Sequence, residues 1–402
     1  MTYTVRVGRV SEGVYLLRAE QRGGFFEALW PIPEGVTYNA YLVLGGQGAV
    51  LFDGWPSGCC GRLAGLVKRL LGGRRLDMIV VNHSEPDHTG CLEELVSMFG
   101  GVEVVASRAG VRILQSLYPG LPRGSIHAVR DGEDVSAGGV EFTVHYIPML
   151  HWPDTMASYL PRAGVLFSCD VFGGFSVPEG LTDADADAST YMPYARKYFA
   201  AVVGRYRGRV APALKKLEGL GFRVVAPGHG LVWVENPGAI VEAYSSWAEG
   251  RPRDKLLVVA YTAYGRIGRV TDILVEEAAK RFKEVSVHVY DSHRQPHPVE
   301  VLSEVPDSRA VVVLTTTYEA GLPPVIEWLL GLMASKTGYA KPAAVISLHA
   351  WGPPVADKAA LILESGGFNI VYRASMKGLA TEETLREIAS KALEALSKAS
   401  EP

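Results

Sequence analysis

The chain is most easily bounded by what it lacks. Among its 402 residues there is no run of 18 or more apolar residues, so no segment reads as a membrane-spanning helix. The first residues, Met1 to Arg6, read as the start of a strand and carry no apolar signal-peptide core. Only four cysteines occur, Cys59, Cys60, Cys91 and Cys169, and no two form a C-x-x-C pair. Neither a zinc knuckle nor a disulfide framework is indicated, and reduced thiols in a cytoplasmic protein are the expectation. Charge of one sign is also missing: 40 basic against 43 acidic residues leave a formal charge of −3, with no electrostatic reason for a nucleic-acid partner.

What is present is ordinary globular composition, 48% hydrophobic and 21% charged, in a length that suits two or more domains. The first ~250 residues read as short strands with occasional helices, which implies mixed sheets covered by helices outside them. Strand-like runs include Ala40–Leu44, Ala49–Phe52, Met78–Val81, Val102–Ala106, Val140–Ile147, Val165–Ser168 and Val224–Ala226, with helix-like stretches at Arg62–Leu71 and Cys91–Met98. Trp247–Asp254, polar and holding Gly250 and Pro252, reads as a linker. From Lys255 the rhythm becomes strand–helix alternation, five units in roughly 150 residues, which fits a doubly wound parallel sheet.

The densest chemical signal is His83-Ser-Glu85-Pro-Asp87-His88, directly after the apolar run Met78–Val81. Two imidazoles and two carboxylates in one loop have no use in an apolar core, and burying them unpaired would cost several kcal/mol each. Metal ions resolve that cost. Further metal-capable residues stand at the ends of other strand-like runs: His151 in His151-Trp-Pro-Asp154, Asp170 after Val165–Cys169, and His229 in Pro227-Gly-His229-Gly. A lone histidine after a strand is more often hydrogen-bonded surface than ligand, and His145 is read that way. The set of strand-end residues does not admit that bland reading.

On these motifs the N-terminal half resembles the metallo-β-lactamase fold, an αββα sandwich with a two-metal site. Hydrolases of that superfamily carry His-x-His-x-Asp-His; here Glu85 replaces the second histidine, a harder oxygen donor that favours iron or manganese over zinc. With His151-Trp-Pro-Asp154 and the Ser168-Cys-Asp170 strand end, the chain resembles the flavodiiron proteins, and the resemblance covers nearly the whole of it. It implies two domains, 1–250 metallo-β-lactamase-like and di-iron, 255–402 flavodoxin-like and FMN-binding. It also implies two irons per chain, one held by His83, Glu85 and His151, the other by Asp87, His88 and His229, with Asp170 bridging.

In the second half, three loops fall where flavodoxins hold FMN, at the carboxyl ends of parallel strands. They are Thr262-Ala263-Tyr264-Gly265-Arg266-Ile267-Gly268, Thr315-Thr316-Thr317-Tyr318 with Gly321, and Ser347 with His349, Trp351 and Gly352. Tyr318 and Trp351 are candidates to stack on a flavin ring. The phosphate loop departs from the flavodoxin pattern, with Ile267 and Gly268 where a hydroxyl residue is usual. Arg266 and Arg269 are alternative sources of positive charge.

The resemblance further implies reduction of dioxygen to water, of nitric oxide to nitrous oxide, or both, in a head-to-tail homodimer or a dimer of dimers, with dioxygen the favoured gas. No rubredoxin-like four-cysteine segment follows, so an external donor is expected: a rubredoxin, an NAD(P)H-linked reductase or a reduced deazaflavin. Two other readings compete. One is a zinc hydrolase of the metallo-β-lactamase superfamily, whose metal-activated water would be the nucleophile. The other is an electron carrier or redox sensor with a structural metal.

Overall fold

The computed structural model describes residues 3–122, 124–337, 339–378 and 380–400. The chain divides into two compact units, Met1–Ser245 and Ser246–Pro402.

The first unit is built on two sheets. The larger has seven strands, in the order Thr4–Ser11, Val14–Gln21, Val36–Leu44, Gly48–Phe52, Arg75–Val81, Glu103–Ala106 and Ile126–Ala128. It is antiparallel through Gly48–Phe52 and parallel from there on, so the sheet is mixed as its consecutive strand-like runs imply. The smaller has five strands, Asp134–Ala137, Val140–Tyr146, Met156–Leu160, Val165–Cys169 and Val224–Pro227, with only the last pair parallel. Inward residues of both sheets form one core, in which the Phe52 ring stacks on Phe167 with centroids 4.2 Å apart and meets Phe142 edge-on at 5.0 Å. Aromatic pairs of these geometries add to the gain from apolar burial.

Helices close the outer faces because their apolar residues recur with the helical period. In Cys60–Leu71 the buried set is Cys60, Leu63, Ala64, Val67 and Leu71, a single stripe, and Gly72 ends the helix at φ 55°. This is the αββα sandwich of the metallo-β-lactamase fold.

The second unit is a five-stranded, all-parallel sheet in the order Glu284–Tyr290, Lys255–Tyr261, Ala310–Thr316, Pro342–His349 and Asn369–Lys377. Its central strands are buried on both sides, which is why Leu256–Ala260 and Ala310–Leu314 are continuous apolar runs. The strand order places a topological switch at Lys255–Tyr261, beside the loop 262–268. This is the flavodoxin-like doubly wound sheet. Its last helix, Glu382–Ala399, begins at Thr381, whose hydroxyl accepts from the Thr384 amide.

Three expectations need correction. Cys60 and Cys91 form a disulfide, with Cα atoms 5.1 Å apart, while Cys59 and Cys169 are free and buried. The expectation of four reduced thiols fails because the contact is tertiary. Gly90 fits so closely against the 56–57 turn that a Cβ there would come within 2.3 Å of the Ser57 amide, and this brings Cys91 to the start of helix Cys60–Leu71. The linker is shorter than Trp247–Asp254, because helix Pro237–Glu249 runs into it. The loop expected over Thr262–Gly268 ends earlier, because the following helix spans Gly268–Ala278 and Gly268 belongs to its first turn.

Candidate metal centre

The strand ends of the first unit carry the site. Strand Arg75–Val81 delivers Asn82 and His83; the short helix Pro86–Thr89 then presents Asp87 and His88 from its first turns. His151 lies in the connection after Val140–Tyr146, Asp170 directly follows Val165–Cys169, and His229 follows Val224–Pro227. All four stretches open on the same edge of the sandwich, and His83, His88, Asp170 and His229 are essentially inaccessible to solvent.

The seven side chains separate into two groups that share one carboxylate. Glu85 Oε2 is 3.1 Å from His83 Nε2 and 2.9 Å from His151 Nε2. Asp170 Oδ2 lies 3.3 and 3.1 Å from the same two nitrogens. Its other oxygen, Oδ1, turns to the second group, 2.9 Å from His88 Nε2 and 3.3 Å from His229 Nε2. Asp87 completes that group, 3.6 Å from His88 Nε2 and 3.4 Å from His229 Nε2. Each set converges closely enough for one ion.

The electrostatics point to positive charge that the side chains alone do not supply. Both Asp87 carboxylate oxygens and His229 Nε2 are buried with no hydrogen-bond partner among the described residues, and burial raises the Asp87 pKa. Burial also acts against charge on Asp170, but His88 and His83 draw its carboxyl well below the ordinary range. At His83 burial pushes the imidazole down, yet Asp170, with Asp154 and Glu85, lifts its pKa to about 10. His151 reaches about 10 and His88 about 9, again with nearby carboxylates outweighing burial. Without metal the site is therefore a protonated-imidazole and carboxylate network, and a divalent cation would take the protons' place. Orphaned oxygen and nitrogen atoms aimed at shared points are the arrangement that metal ligands require.

An outer layer fixes the ring orientations, and much of it carries no motif. Asp154 Oδ2 accepts from the Ser84 amide at 2.7 Å while Oδ1 faces His83 Nδ1 at 3.4 Å, leaving His83 Nε2 to the metal side. His229 Nδ1 donates to the Thr37 carbonyl at 2.7 Å, with the same consequence for its Nε2. Asp53 receives both the Asn82 amide and its side chain, at 2.8 and 2.9 Å. Three residues of strand Val36–Leu44 grip the His229 loop: the Thr37 hydroxyl accepts from the Gly230 amide, Asn39 donates to the Pro227 and Gly230 carbonyls, and Tyr41 donates to Pro227. Fully buried Arg18 adds a 2.6 Å bond to the Gly230 carbonyl. Two signals are readable: Asp53 directly follows the strand-like run Ala49–Phe52, and Asp154 ends the His151-Trp-Pro-Asp154 motif. His145 sits within strand Val140–Tyr146, half-buried and apart from both groups.

The second unit gathers its three loops around a cleft of about 340 Å³, into which Thr262, Ala263, Tyr264, Arg266, Thr316, Thr317, His349 and Trp351 all face. Leu348, Ala350 and Gly378 also line it, three residues with no motif to mark them in the sequence. Buried His349 Nδ1 has no hydrogen-bond partner among the described residues. Gly265 and Gly268 face a neighbouring cavity instead. Thr315, Tyr318, Gly321 and Gly352 do not line the cleft. Two side chains placed among the cofactor contacts are otherwise engaged: Ile267 is buried in the core, and the Ser347 hydroxyl pairs with Ser375 at 2.9 Å. Tyr264 and Trp351 are 91% and 76% exposed, large rings open to a ligand's face. Tyr318 stands on a tight turn closed by reciprocal bonds to Gly321, with Glu319 and Ala320 at positive φ.

Comparison with known proteins agrees with this geometry. Residues 36–230 match the family model described as ODP family beta lactamase. The chain is 30% identical to the Coenzyme F₄₂₀H₂ oxidase of Methanothermobacter marburgensis over 89% of its own length and 90% of that protein's. It is 29% identical to the nitric oxide reductase of Moorella thermoacetica, over 79% of each chain. Among solved structures, a variant of the flavo-diiron protein of Thermotoga maritima superposes with a TM-score of 0.92 at 33% identity, covering 100% of both chains. The chain belongs to the flavodiiron family of oxidoreductases.

Proposed function

We propose that the protein reduces dioxygen to water, and nitric oxide to nitrous oxide as a second reaction, at a di-iron site supplied with electrons by FMN. The observation that carries this reading is the division of the Asp170 carboxylate, one oxygen toward His83, Glu85 and His151 and the other toward Asp87, His88 and His229. A single carboxylate facing two complete nitrogen–oxygen donor sets is the geometry of a two-metal site. Iron supplies one-electron ferrous–ferric chemistry and FMN the electrons that restore it.

The chain's own side chains do the rest. His83, Glu85 and His151 would hold one ion and Asp87, His88 and His229 the other, with Asp170 setting their separation. Three carboxylates against four neutral imidazoles offset much of the charge of two cations, and Glu85, where zinc hydrolases carry histidine, favours the harder metal. Asp154 and the Thr37 carbonyl hold the imidazoles so that Nε2 is the donor. In the second unit, Tyr264 and Trp351 would cover the isoalloxazine and Arg266 would face the phosphate. The electron donor in this reading is a separate reduced carrier: a rubredoxin, an NAD(P)H-linked reductase or a reduced deazaflavin.

Anaerobic reduction followed by separate additions of dioxygen and nitric oxide tests the reading. Turnover of either gas supports it; hydrolytic activity with bound zinc, and no consumption of either gas, defeats it.

A further inference from the structure

On the sandwich edge opposite the metal centre, four arginines from four distant segments meet in one cleft. Arg9 comes from the end of strand Thr4–Ser11, and Arg74 precedes strand Arg75–Val81. Arg162 lies in the turn between Met156–Leu160 and Val165–Cys169, and Arg223 precedes Val224–Pro227. The last three strands carry metal-site residues at their other ends. A strand of four or five residues, roughly 13–17 Å, therefore lies between this cleft and the metal centre along Val165–Cys169 and Val224–Pro227. The cleft measures about 790 Å³. It belongs to neither site described above.

Its charge is uncompensated. Among the described residues, none of the four guanidinium groups forms an ion pair. Glu12, the single acid lining the cleft among the described residues, is paired with none of them. Elsewhere on this chain arginines commonly meet carboxylates, as Arg253, Arg294, Arg309, Arg373 and Arg386 do. Bringing like charges together without counter-charge is unfavourable, and a chain of net charge −3 has ample acid to relieve it.

The arginines are also held in place. Arg162 Nη2 donates to the Leu44 carbonyl at 2.7 Å, Arg9 Nε to Ser11 at 3.2 Å and Arg74 Nη1 to Leu71 at 3.3 Å. The Arg223 guanidinium packs over Gly164 so closely that a Cβ there would lie 3.0 Å from Cζ. Each of the three hydrogen-bonded groups spends one of five N–H donors and keeps the others for a ligand. Pre-placed planar forks recognise phosphoryl oxygens in pairs.

We propose that this cleft binds a small anion bearing at least two phosphoryl groups, such as pyrophosphate or the polyphosphate tail of a nucleotide. Four arginines less Glu12 leave three positive charges, more than a monocarboxylate or a single phosphate neutralises. The concave shape and volume are those of a small-molecule pocket, and the half-buried Tyr15 offers a wall against which a nucleotide's organic part rests.

The test is calorimetric titration of the purified, cofactor-loaded protein at low salt, with sodium pyrophosphate in one arm and magnesium-free ATP in the other. The proposal expects binding of pyrophosphate at one per chain, weakened by added salt. ATP binding more tightly than pyrophosphate identifies the source as a nucleotide; equal affinity identifies the phosphoryl groups alone. Arg162→Ala with Arg223→Ala should raise Kd at least tenfold while iron and FMN content stay unchanged. Arg9→Ala with Arg74→Ala, on different segments, should do the same, which guards against local misfolding in either pair. Absence of binding by both anions, or affinity unchanged in both variants, overturns the proposal.

Discussion

Asp170 is the residue on which the two-metal geometry turns. Replacing it by Ala removes, among the described residues, the one carboxylate facing both groups, so bound iron and gas turnover should fall by more than the 10–100-fold typical of outer-layer changes, while FMN stays bound. Metal analysis beside the flavin absorbance checks this, and full retention of iron would refute the bridging role. Asp154 acts one step back, through His83 Nδ1 and the Ser84 amide. Asp154→Asn should weaken metal binding by roughly 10–100-fold, and a competing chelator reads the change directly. The protons have a definite direction as well. His83 and His151 hold theirs to about pH 10 and His88 to about 9 in the metal-free site. At pH 7 metal must displace those protons, so loading should release about three per chain and affinity should rise with pH up to that range. Calorimetry in buffers of different ionisation enthalpy counts the protons; a pH-independent affinity between 6 and 9 would contradict this. The seven candidate ligands were legible in the sequence because each follows a strand-like run in a polar motif. The Thr37 carbonyl was not, because a backbone oxygen has no residue identity to read, and Arg18 was not, because its role exists only once the His229 loop packs on its strand.

Among the elements, the loop that opens helix Gly268–Ala278 is the least conventional. Ile267 points into the core, Gly268 has no side chain, Arg269 is paired with Glu382, and the Thr262 hydroxyl already receives the Ile267 amide at 3.4 Å. Arg266 is left as the cation lining the cleft. Arg266→Ala should therefore raise the Kd for FMN by about 10–100-fold, the range of a lost charge-assisted hydrogen bond, and leave the Kd for riboflavin nearly unchanged. Equal losses for both ligands would place the arginine away from the phosphate. The strand–helix rhythm of this half was readable because buried parallel strands are continuous apolar runs. Which side chains face the cleft was less so: Ser347 and Ile267 lie in the right loops and point away, since a loop's position does not determine its side-chain directions. The Cys60–Cys91 disulfide shows the same limit, a contact made by the packing of Gly90 on the 56–57 turn and invisible in a separation of 31 residues. By the chain-entropy argument it should contribute roughly 3–4 kcal/mol, so Cys60→Ser with Cys91→Ser should lower unfolding stability by about that amount in denaturant titration.

For the whole molecule, the two units carry complementary chemistry, a two-metal donor set and a flavin-sized cleft, on one chain of a family of oxidoreductases. No helix among the described residues is long and apolar enough to cross a membrane. The αββα sandwich and the doubly wound sheet are each suited to the task by their topology, because both place loops at the carboxyl ends of strands where rigid backbone holds functional side chains. Glu85 distinguishes this molecule from a zinc hydrolase at the level of one residue, and the second unit distinguishes it at the level of the fold. The account's central claim is that these parts reduce a diatomic gas. The direct measurement is consumption of dioxygen and of nitric oxide by the anaerobically reduced protein under continuous electron supply, with iron and FMN quantified on the same sample. The account predicts about two irons and one FMN per chain with repeated turnover of dioxygen, and turnover of nitric oxide as the second activity. A protein loaded with both cofactors that consumes neither gas would contradict it.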